Sequence, residues 1–104
     1  MTNILIYRRP DGLLTGYRVG GHTGYAPAGE DIVCSAISFL SITCANALES
    51  IAGQAPKIQE EDGYLEVRIP SPNEKASTIL KVFEQGARDL ESSYKRYVEL
   101  IYSD

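Results

Sequence analysis

The sequence contains one histidine and two cysteines. His22 stands in the glycine-rich run "GGHTGYAPAGE" at 20–30, and Cys34 follows twelve positions after it, where apolar residues begin to recur at helical spacing. The nucleophile in thiol chemistry is the thiolate, which two surroundings favour: the unpaired amides of a helix N-terminus and a nearby imidazolium. With Asp31 read as the N-cap, Cys34 is the third residue of the helix and meets the first condition. The eleven residues between His22 and Cys34 give the histidine reach over the helix start, which would supply the second. Such a pair is a cysteine nucleophile with its general base, and the same amides could hold the oxyanion of peptide hydrolysis. Gly20, Gly21 and Gly24 leave space for an extended peptide beside the thiol. Glu30 and Asp31 act the other way, because adjacent carboxylates disfavour a thiolate.

A plainer reading stands beside this one. A cysteine on an amphipathic helix is commonly a small buried hydrophobe, and Cys44 is read that way. By the same reasoning Cys34 is a core residue and His22 a surface residue of a turn-rich loop. The two cysteines are ten positions apart on one helix, about 15 Å at the helical rise, so they cannot form a disulfide and are expected as reduced thiols. There is no CxxC, and one histidine without clustered partners makes no metal site, so neither metal nor cofactor is expected. No GxxxxGK[ST] run is present to cradle a nucleotide phosphate. Spacing alone leaves the nucleophile and the core cysteine both open.

The elements that would position these residues are legible in the pattern. Residues 2–8 alternate as a strand, "RPDG" at 9–12 turns the chain, and 13–20 return as the hairpin partner. Val33, Ala36, Ile37, Leu40, Cys44, Ala47, Leu48 and Ile51 form a helical stripe that Gly53 ends. Ser35, Ser38, Ser41 and Ala45 are small enough to admit a neighbouring helix or subunit. "PKIQEE" and "YLEVRIP" flank Asp62-Gly63, a tight-turn dipeptide, and "EED" at 60–62 is read as a solvated hairpin end. "SPNE" at 71–74 reads as a capping box, with Ser71 the cap, Pro72 the first helical residue and Glu74 the reciprocal partner. Ala76, Ile79, Leu80, Phe83, Ala87, Leu90 and Tyr94 form the second stripe, Gly86 marks a close helix contact, and "YVELIY" is a last strand. The order β-β-α-β-β-α-β predicts an α+β fold in which two helices pack on one face of a mostly antiparallel sheet. Residues 1–104 are expected to form a single domain, a cysteine protease domain if the resemblance described below holds.

A net charge of −4 argues against a broad nucleic-acid-binding face. Arg8, Arg9, Arg18 and Arg68 fall on or beside strands, where a solvated sheet surface explains them as well as a basic patch. No apolar stretch is read as long enough to span a membrane, and the first residues lack the features of a signal peptide, so the cytoplasm is the expected compartment.

Taken together, Gly21-His22, the loop with Gly24 and Tyr25, and Gly29-Glu30-Asp31-Ile32-Val33-Cys34 running into Ser35-Ala36-Ile37-Ser38 resemble the signature of the ribosomal-processing cysteine proteases, the Prp family. The likeness extends through "DGYLEVRIP" and "FEQGARDLESSYKRYVEL" and so covers essentially the whole chain; Lys95 departs from the proline often found after that tyrosine. The resemblance implies a homodimeric bacterial endopeptidase that removes the N-terminal extension of the twenty-seventh large-subunit ribosomal protein. It would cut after an apolar-aromatic segment and before small and basic residues. It implies Cys34 as nucleophile, His22 as general base, and Gly21 and Asp31 as supporting or substrate-binding positions. The alternative is a non-catalytic module that binds a ribosomal protein or assembly factor and uses the glycine loop as a peptide clamp.

Overall fold

The structure, a computed structural model, describes residues 1–21 and 28–103, with residues 28–31 described by their backbone alone. Strand β1 (Thr2–Arg8) turns into β2 (Leu14–Gly20) through a loop closed by Gly12, whose φ of 92° suits only glycine, and by Arg9 N–H donating to the Leu13 carbonyl at 2.8 Å. A second hairpin joins β3 (Lys57–Glu61) to β4 (Tyr64–Arg68), with Gly63 at φ 73° in the two-residue turn. β4 pairs antiparallel with β2, and β5 (Val98–Ser103) returns parallel to β1. The sheet order is therefore β3-β4-β2-β1-β5, mixed but mainly antiparallel.

Period-two alternation puts Ile4, Ile6, Tyr17, Val19, Leu65, Val67 and Val98 in one core. Helices α1 (Ala28–Ser50) and α2 (Glu74–Ser93) cover that face. The expected stripes are the buried ones: Val33, Ile37, Cys44 and Leu48 on α1, and Ala76, Leu80, Phe83 and Ala87 on α2. Gly86 does mark the close approach of the helices, since a Cβ there would come within 2.8 Å of the Leu40 side chain. Gly53 does stop α1, at φ 66°. The opposite face of the sheet is dressed with polar pairs, the Arg68 guanidinium lying 3.7 Å over the Tyr7 ring while Tyr7 donates to Glu66.

Several expectations are corrected. α1 begins at Ala28, so Asp31 is its fourth residue rather than its N-cap and Cys34 its seventh rather than its third. Gly20 ends β2 as the strand read over 13–20 has it, and the early start of α1 shortens the connecting loop at its far end. α2 is capped by Asn73 instead of Ser71: its Oδ1 accepts from Ala76 N–H at 2.8 Å, while its own N–H and Nδ2 donate to Gln54 and to the Ala52 carbonyl. Ser and Asn are comparable caps in isolation, and these ties to the end of α1 decide in favour of Asn73. Ile51 lies past the last turn of α1 and is exposed. Finally, 32–50 is long and apolar enough by length and composition to cross a membrane. In this fold it is the helix that lays Val33, Ile37 and Leu48 on the sheet.

Candidate active site

Along α1, residues 33, 37, 41, 44 and 48 face the sheet, and Cys34, one position off that stripe, stands at its margin and is half-buried. A cleft of about 260 Å³ opens there. Cys34, Ile37, Ser38 and Ile42 of α1 form one wall, with Thr2, Val19 and Gly20 at the ends of β1 and β2. The β3–β4 hairpin closes the far side with Glu60, Glu61, Asp62 and Tyr64. The cleft is thus apolar along Val19, Ile37 and Ile42 and acidic along the hairpin tip, a surface suited to a peptide with apolar and cationic parts.

Inside the cleft the Thr2 hydroxyl lies 3.7 Å from the Cys34 sulfur. Thr2 is buried, and its N–H donates to the Tyr97 carbonyl at 2.8 Å, which fixes the start of β1 against the turn before β5. Cys44 contrasts with Cys34. It is buried in the core, and desolvation pushes its thiol up from the ordinary value of 9.0, which leaves it a poor nucleophile. Neither cysteine is in a disulfide. Among the described residues, no three His, Cys, Asp or Glu side chains gather so as to hold a metal ion.

The other predicted site residues are placed unequally. His22 lies outside the described residues, and Asp31 is described only as α1 backbone. Gly21 follows the end of β2 with φ 81°, and a Cβ on it would come within 2.8 Å of the Met1 carbonyl oxygen. Its lack of a side chain therefore has a structural reason as well as the one read from the sequence. Gly21 and the sulfur of Cys34 both lie close to the first residues of β1. The early start of α1 changes the electrostatics. The unpaired amides belong to the first turn, and the amide of the seventh residue is spent inside the helix. Cys34's own N–H is therefore not the oxyanion donor that a cap at Asp31 would have made it.

Sequence reasoning missed Thr2 and the hairpin residues Glu60–Asp62. The pairing of β2 with β4 carries that hairpin to the cleft, and no local pattern announces a contact so distant along the chain.

An accessible thiol in a peptide-sized cleft, on a helix laid across a mixed sheet, has the elements of a cysteine hydrolase. The chain belongs to the cysteine protease Prp family, whose model matches residues 1–99. It is 26% identical over 105 residues to the ribosomal processing cysteine protease Prp of Staphylococcus aureus (strain Mu50), covering 98% of this chain and 99% of that one. Identity to the Bacillus subtilis (strain 168) Prp is also 26%, over 91% of each chain. Among solved structures, SMU.848 from Streptococcus mutans superposes with a TM-score of 0.89 at 28% identity, covering 98% of this chain and 96% of that one. The S. aureus Prp with a covalently linked product peptide superposes with a TM-score of 0.88 at 25% identity, covering 99% and 100%. Family membership decides between the enzyme and the binding module: the protein is a cysteine protease of ribosomal processing.

Proposed function

We propose that this protease removes the N-terminal extension of the twenty-seventh large-subunit ribosomal protein, with Cys34 as nucleophile and His22 as general base. The observation that carries the assignment is that, of the chain's two thiols, only Cys34 lines the cleft, whereas Cys44 is sealed in the core. A covalently linked product, as in the S. aureus relative, requires an accessible nucleophile. The place of Gly21 against Met1 and Asn3 supports His22 as the base, because His22 follows Gly21 directly and Thr2, between those two residues, lies 3.7 Å from the sulfur.

In this mechanism His22 takes the proton of the Cys34 thiol, and the sulfur attacks the scissile carbonyl carbon. The tetrahedral intermediate collapses as His22 returns the proton to the departing amine, which breaks the C–N bond and leaves a thioester. His22 then deprotonates a water that attacks the thioester, releasing the carboxylate product and the thiol. The acidic hairpin tip suits basic residues after the cut, and the apolar wall suits the aromatic segment before it.

The same reading makes the enzyme a homodimer in a bacterial cytoplasm. Ile32 and Phe39 are exposed along one side of α1, and Phe39 retains 73% of its surface. Apolar side chains in line on an open helix face favour a second copy.

The test is to incubate the purified protein with the ribosomal protein carrying its extension and to weigh the products. A new species shorter by the extension is expected. An unchanged mass after prolonged incubation at high enzyme concentration would overturn the reading.

A further inference from the structure

Thr2 is one of two buried polar residues in the described chain, at 3% exposure, and its side chain is on the core face of β1 with Ile4 and Ile6. A valine would fit that strand position equally well, and a buried hydroxyl is costly unless it is hydrogen-bonded. Among the described residues its side-chain partner is the Cys34 sulfur, at 3.7 Å. Two features hold the hydroxyl in place. The backbone N–H is fastened to Tyr97, and a β-branched side chain has little χ1 freedom.

While Cys34 is a thiol, either atom can donate. Once the sulfur has lost its proton, only the hydroxyl can. The hydrogen bond then serves the charged form, which it favours over the neutral one. With Cys34 seven residues into α1, beyond the first turn where the helix dipole acts most strongly, a fixed donor at this spot has the more work to do.

We propose that Thr2 is a positioning residue for the reaction: its hydroxyl donates to the Cys34 thiolate, favouring that state and aiming the sulfur into the cleft. This rests on Cys34 being the nucleophile. The experiment compares the wild type with Thr2→Val and Thr2→Ser in thermal melting, peptide cleavage, and the pH profile of iodoacetamide alkylation at Cys34, and with Cys34→Ala in melting and cleavage. Thr2→Val should melt no lower than the wild type, since it removes a buried hydroxyl. Its alkylation profile should move about one pH unit alkaline, and its kcat/KM at neutral pH should fall about tenfold. Thr2→Ser should restore both. If Thr2→Val fails to fold, Thr2→Ala carries the comparison with the same expectations for profile and rate. A hydroxyl-free variant with the wild-type profile and rate would overturn the proposal, as would Thr2→Ser behaving like Thr2→Val. Cys34→Ala that still cleaves at the wild-type rate would remove the nucleophile reading beneath it. Loss of cleavage in Cys34→Ala with no effect at Thr2 would sink this inference alone.

Discussion

Tyr17 of β2 stacks on Phe83 of α2, with ring centroids 3.7 Å apart and planes 13° from parallel. The Tyr17 hydroxyl donates to the Ser41 carbonyl of α1 at 2.6 Å. One fully buried side chain thus ties the sheet to both helices, and Ser41 lies two helical turns beyond Cys34. Aromatic pairs add about 0.5–1.5 kcal/mol to their area burial, so the position of α1, which carries Cys34, is set in the core.

Tyr17→Phe keeps the stack and deletes the hydroxyl. It should cost about 1 kcal/mol, the net worth of a typical internal hydrogen bond, read as a lower urea midpoint with an unchanged slope. An unchanged midpoint would show that the tie to Ser41 contributes nothing.

Stability should fall on the alkaline side. Burial raises the Cys44 thiol above 9.0, and burial, then the neighbouring Cys44, raises the Tyr17 phenol well above 10.0. Both groups hold their protons longer when folded than when unfolded. Their contribution is therefore whole below about pH 9 and lost as the pH rises from the unfolded values through the folded ones. Urea midpoints at neutral pH, pH 9 and pH 10.5 should decline over the last interval, and Tyr17→Phe should flatten the decline. A level profile in the wild type would contradict this.

The two candidate caps of α2 can be told apart by substitution. Asn73→Ala should cost about 1–2 kcal/mol, because it removes the cap on Ala76 and the link to Ala52 together. Ser71→Ala should stay within about 0.5 kcal/mol, since among the described residues Ser71 is engaged through its backbone carbonyl, by Gln54. Equal losses in chemical denaturation would restore Ser71 as a cap.

Gly21→Ala forces a side chain into φ 81° and against the Met1 carbonyl. A stability loss of about 1–3 kcal/mol is expected from the strained backbone. Displacing the chain that leads to His22 should lower kcat/KM on the order of tenfold or more. Wild-type cleavage by the variant, measured with the same peptide, would separate Gly21 from the site.

The fold was legible where local chemistry decides. Asp62-Gly63 turned the second hairpin, the stripes of α1 and α2 became their buried faces, and Gly86 met Leu40 as its isolation within a helix suggested. The misreadings fall where two local answers compete. Either Asp31 or the residues before it could begin α1, and either Ser71 or Asn73 could cap α2; tertiary ties settled the second. Of the candidate site, Cys34 is legible from its spacing after His22 and from a helix start, although α1 begins at Ala28 and not after a cap at Asp31. Thr2 could not, nor could Glu60, Glu61 and Asp62, because strand pairing and packing across the sheet bring them to the cleft.

Cleavage by the Cys34→Ala variant tests the central assignment most directly. With a peptide spanning the extension junction, followed by product mass over time, the wild type should generate both fragments. The variant, equally folded by its melting curve because a small residue replaces a small residue, should generate neither. Processing by Cys34→Ala at the wild-type rate would contradict the account.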